Sequence, residues 1–195
     1  MNHPIDAAAY APQTLEQSDH AVCSLKEALQ PDEATRWVAA GQDMNYPPVP
    51  FPPLVVLRTA GEPLLRAVVR RHHELLRQSP QLGRMFPQDE AVFTRVVERI
   101  ADFVVEACGG PTAYTGGQDY TCIRTRHFPF TIDEAAREAW LAALWQSLEV
   151  LQFPLAVREP YWAWLEAMSI RMINRRTTKA QPRRYPCPAM PGAMG

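Results

Sequence analysis

Nineteen prolines, nine of them crowded into two places, limit what this chain can fold into. The run Pro47-Pro-Val-Pro-Phe-Pro-Pro53 cannot be helical, because proline lacks an amide donor and restricts the residue before it. It reads as a linker or an extended arm closing an N-terminal extension, residues 1–53, whose first 46 residues are polar and acidic with one helix expected over Asp32 to Ala40. The basic, Pro-rich segment Thr177 to Gly195 reads as a disordered tail. The foldable part is therefore 54–176, enough for one core of ordinary size.

Within that part the apolar period is helical and no stretch alternates as a strand would. Pro63 suits the first turn of a helix, and Leu65, Val69, His72 and Leu76 follow along one face. Phe93, Val97, Ile100, Phe103 and Ala107 form a second stripe, which stops at Gly109-Gly110-Pro111. Thr131-Ile-Asp-Glu134 reads as a capping box opening a third helix that presents Ala136, Trp140, Ala143 or Leu144, and Ser147. A last helix is expected to open at Glu159-Pro160 and run to about Arg176. The chain is all-α on this reading. The ~20 irregular residues from Gly109 to Arg126 are unusual in a compact domain, unless they wrap something.

Composition excludes several functions. A net charge of −1 argues against a nucleic-acid binder. No apolar run reaches the roughly 18 residues of a membrane span, and the N-terminus has no secretory pattern, so a cytoplasmic location is expected. Cys23, Cys108, Cys122 and Cys187 lack CxxC spacing and read as reduced structural thiols rather than ligands.

Five motifs stand in order. Met85-Phe86-Pro87 comes first, then Pro111, sixteen residues before His127. Arg124-Thr-Arg-His-Phe-Pro-Phe130 follows, with Ile132 behind it and Trp140 thirteen residues after His127. Trp164 to Asn174 completes the set. Together they resemble the group II truncated haemoglobins over about Val55 to Arg175. The resemblance implies a two-over-two helical globin fold holding haem b (iron protoporphyrin IX). His127 would be the proximal iron ligand, a role that suits a neutral imidazole. Arg124 or Arg126 would meet a haem propionate, since guanidinium forms charge-assisted bonds to carboxylates. The resemblance also points the Trp140 indole into the distal pocket, with Phe86, Val96, Ile100 and Phe103 lining the haem.

Three positions depart from the family pattern. His73 stands where relatives usually carry a ligand-binding Tyr, with His72 before it in place of Phe, and Phe86 replaces a frequent second Tyr. The pair His72-His73 admits three roles: a helix-edge polar pair, a distal donor from His73 to bound ligand, or an internal sixth iron ligand. A distal imidazole can also carry acid–base chemistry on peroxide, so His73 and Trp140 are the candidate catalytic residues. The functional expectation is a haem globin binding O2, NO or CO, with peroxidase-like or NO and reactive-oxygen detoxifying activity in prospect. A redox partner and the oligomeric state stay open. Rival readings are a haem-free globin-fold sensor or interaction module, favoured by the extension, and an engineered haem enzyme with altered distal residues.

Overall fold

The computed structural model describes residues 37–38, 49–116 and 123–188. Strand β1 (Trp37–Val38) pairs antiparallel with β2 (Val49–Pro50), Trp37 opposite Pro50. The helix expected over Asp32 to Ala40 is therefore corrected at its two described residues, and the rest of it lies outside the described residues. Val49 and Phe51 are buried, and the Phe51 ring lies 6.3 Å from that of Trp164. The arm is docked, so the boundary drawn at residue 53 cuts through the core.

Five helices follow, named α1 to α5. Helix α1 (Val55–Gln78) is two pieces joined at Gly61, whose φ of 75° few other residues adopt. Pro63 then falls in the first turn of the second piece, where its missing N–H removes no helical bond. Leu65, Val69, His72 and Leu76 are all buried, as their spacing predicts. A 3-10 turn (Gly83–Met85) leads through Phe86 to α2 (Glu90–Ala107). Asp89 caps α2 by accepting from Val92 N at 2.8 Å. At the far end Gly109, at φ 95°, allows Gly110 N to donate to Val105 O and Gly109 N to Glu106 O. This Schellman closure is the stop signalled by the Gly-Gly-Pro.

Helix α3 (Ile123–His127) is a single short turn, halted by Pro129. Helix α4 (Glu134–Val150) is capped by Asp133, which accepts from Ala136 N at 2.8 Å. That corrects the box expected from Thr131: Glu134 accepts instead from the backbone and side chain of Thr177. Helix α5 (Leu155–Met172) starts directly after Pro154, so the start expected at Glu159-Pro160 is four residues late and Pro160 lies inside the helix. Helix α1 packs on α2 and α4, and α5 packs on α4, α3 and β2. Phe51, Phe103, Tyr114, Phe153, Tyr161 and Trp164 fill the core between them.

After α5 the chain turns back over α4 and α5. Arg137 and Glu166 form an ion pair at 2.5 Å, with both side chains buried. Arg137 also donates to the Arg183 carbonyl at 2.6 Å. Glu166 accepts from Arg184 at 2.7 Å and from Tyr185 N at 3.0 Å, while the Trp162 indole donates to Tyr185 O at 2.8 Å. Residues 183–187 are thus a strap, which corrects the disorder expected of them. Their composition suggested disorder, but a buried ion pair that needs more partners than α4 and α5 supply holds them in place. Residues 189–195 lie outside the described residues.

Candidate functional site

On one side of the site stands His127, the last residue of α3. Its Nδ1 donates to the Ile123 carbonyl at 2.7 Å, one helical turn back. A carbonyl only accepts, so the proton is on Nδ1 and Nε2 is left with its lone pair. Burial holds the ring's pKa below the ordinary histidine value, opposed by that hydrogen bond. Yet His127 keeps accessible surface, as does Ile123 beside it.

The turn carrying His127 is held from α5. Just past that helix, Asn174 Nδ2 donates to the carbonyls of His127 (3.1 Å) and Phe130 (2.8 Å), and Oδ1 accepts from Ile132 N at 2.9 Å. The backbone amides of Asn174 and Arg175 both donate to Ile132 O. The sequence reading placed Asn174 only at the end of a helix motif. Its signal, an Asn just beyond a helix C-terminus, is too common to assign a role without the fold.

Opposite, α1 brings His72 and His73 against α4 and Phe86. His72 Nε2 donates to Trp140 O at 3.0 Å, and its ring meets the indole edge-on at 4.6 Å. His73 Nδ1 donates to Val69 O at 2.7 Å, and its ring lies 5.9 Å from Phe86. The adjacent histidines therefore carry opposite tautomers: His72 is protonated at Nε2 and His73 at Nδ1. Burial, and then the neighbouring His73, push the His72 pKa well down. Burial likewise pushes His73 down to about 4, against its bond to Val69, with His127 adding a smaller repulsion. That repulsion sets His73 and His127 near one another, on different elements. Neither is a helix-edge polar residue in water, since both His72 and His73 are buried.

The remaining predicted residues divide. Phe86, Ile100 and Trp140 are half-buried and pack against the apolar core, and Val96 is half-buried. Phe103 is buried in the core, 5.4 Å from Tyr114 and 5.9 Å from Trp164. Arg124 and Arg126 flank His127 on α3, half-buried, with the Arg124 guanidinium 5.9 Å over the Phe128 ring. Cys122 lies outside the described residues, Cys108 is buried and Cys187 is half-buried. Buried Glu106, unremarked in the sequence, accepts from Tyr114 N at 2.7 Å, from Thr115 N at 3.0 Å and from the Thr115 hydroxyl. It pins the loop that leaves α2.

Comparison with known proteins fits this arrangement. The bacterial-like globin family profile matches residues 58–174. The chain belongs to the bacterial-like globin family. The globin is 29% identical over 143 residues to the group 2 truncated hemoglobin YjbI of Bacillus subtilis, covering 73% of this chain and 98% of the relative. Its fold matches phosphate-bound Hell's gate globin IV with a TM-score of 0.69 at 49% identity, over 76% of this chain and 92% of that one. It also matches the truncated oxygen-avid haemoglobin of Bacillus subtilis, with a TM-score of 0.56 at 28% identity, over 61% and 98% of the two chains. The group II truncated haemoglobin resemblance and the two-over-two helical class are thereby borne out. A haem cofactor follows from membership of a globin family. No helix among the described residues is long and apolar enough to cross a membrane.

Proposed function

We propose that this globin holds haem b through His127 Nε2 and binds diatomic ligands on the opposite face, beside Trp140 and His73. The observation that carries the proposal is the tautomer of His127. Its Nδ1–H is committed to Ile123 O at 2.7 Å, which orients the ring and leaves Nε2 as the donor atom. Among the described residues no three His, Cys, Asp or Glu side chains gather to hold an ion. A lone imidazole suits an iron whose remaining ligands a porphyrin would supply. Phe86, Val96 and Ile100 would supply an apolar lining, and Arg124 or Arg126 a cation for a propionate; Phe103, expected beside them, packs instead in the core against Tyr114 and Trp164. When bound, haem supplies iron for ligand binding and redox chemistry.

On the distal side the residues differ in what they can do. The Trp140 indole has an N–H to donate. His73 offers only a lone pair at Nε2, because its proton is used at Val69 O. This tautomer favours His73 as a proton acceptor or as a sixth iron ligand over a hydrogen-bond donor to dioxygen. A neutral imidazole with a pKa of about 4 stays unprotonated at neutral pH. Its open Nε2 lone pair can accept a proton, but a pKa this far below neutral makes it a weak base, so the peroxidase-like reading rests on the position of that lone pair and not on its basicity.

Ultraviolet–visible spectra of ferric, ferrous and CO-bound protein test the whole proposal. A Soret band that shifts with CO and is lost in His127→Ala is the expected result. A purified protein that takes up no haem, or a His127→Ala variant that keeps it tightly coordinated, overturns the proposal and restores the haem-free module.

A further inference from the structure

We infer that His72 is a positioning residue that fixes where the Trp140 indole points. The functional consequence rests on the haem reading above; the contact itself does not. His72 is 3% exposed and makes two contacts with one residue. Its Nε2–H donates to the Trp140 carbonyl at 3.0 Å, and its ring edge meets the indole at 4.6 Å with the planes 73° apart. A helical carbonyl already accepts one amide of its own helix, and its second lone pair is what His72 uses. The bond therefore ties α1 to α4 at the level of the indole without disturbing either helix. The ring contact limits how the indole can turn about its own side-chain torsions.

This divides the labour within the pair. His73 presents a bare Nε2, while His72 has spent its proton on the neighbouring helix and cannot face the same way. Of the two, His72 is the brace. An aliphatic side chain would fill the space but leave the cross-link unmade, whereas glutamine keeps an N–H that reaches the carbonyl.

The test compares wild type, His72→Gln and His72→Leu, each loaded with haem and CO. The infrared C–O stretch reads the hydrogen bonding that the bound gas meets, and flash photolysis reads CO dissociation. His72→Leu is expected to shift or split the stretch and to change the dissociation rate roughly three- to tenfold, the worth of one neutral hydrogen bond. His72→Gln is expected to return both towards wild type. A folded Leu variant with the wild-type band and rate overturns the inference, as does a Gln variant no closer to wild type than Leu.

A second measurement needs no haem. Nitrogen NMR of histidine-labelled wild type is expected to find the His72 proton on Nε2 and slow to exchange. Finding it on Nδ1 overturns the inference even if the Leu variant fails to fold. If wild type gives no C–O band, the haem reading fails, and this tautomer measurement still decides the brace.

Discussion

His127 and His73 are pinned in the same way and housed differently. Each donates Nδ1–H at 2.7 Å to the carbonyl four residues back, and each leaves Nε2 bare. His73 sits inside a 24-residue helix, between Phe86 and a second buried imidazole. His127 ends a helix of five residues that is too short to be stable alone. It depends on bonds from Asn174, which is itself exposed. The His73 side is held because its scaffold is long and packed. The His127 side is held only as far as another element clasps it.

If His127 holds the iron as proposed, removing its imidazole should have the largest effect. His127→Ala is expected to lose tightly held haem altogether, read as loss of the Soret band after gel filtration, with partial recovery when free imidazole is supplied. Recovery would separate loss of a ligand from collapse of the turn.

Acid should come next. Between pH 6.5 and about 4 the unfolded chain protonates the residue-73 imidazole and the folded chain does not. Stability therefore rises with pH through that window, is full above it, and is lost as pH falls. For His73 alone the span corresponds to about 3 kcal/mol. The downward shifts of His72 and His127 act in the same direction. Denaturant melts of haem-free wild type and His73→Leu should converge as pH drops. Parallel curves would contradict the burial of the distal imidazole.

His73→Leu should then lower peroxide turnover by about a hundredfold, the scale of a lost general base. It should leave haem retention near wild type. A variant that loses haem instead would make His73 an iron ligand. Asn174→Ala gives the smallest effect, a haem-loss rate raised about tenfold, as for other groups that orient a ligand from behind. Equal loss rates in wild type and Asn174→Ala would mean that the short helix stands without its clasp.

The same contrast explains what could be read from the chain beforehand. His127 was legible because proline positions and a downstream tryptophan fix its neighbours along the sequence, and those spacings survive folding. The buried stripe through Leu65, Val69, His72 and Leu76 was legible for the same local reason. What His72 and His73 do was not, because their tautomers depend on which carbonyl each ring meets, one on its own helix and one on another. The capping box misled because Thr131 and Asp133 offer equivalent chemistry two residues apart. Only the capture of Glu134 by Thr177 decides between them.

The strap over α4 and α5 also orders events in time. A ribosome releases Arg137 46 residues before the Arg183 carbonyl that receives it. Until that stretch emerges, the guanidinium and Glu166 must stay hydrated, or enter the interior without Arg184 and the Tyr185 amide. The helices can assemble earlier, but this charged pair can be sealed only once residues 183–185 have emerged. A nascent chain stalled before residue 183 is expected to leave Arg137 and Glu166 without their strap contacts.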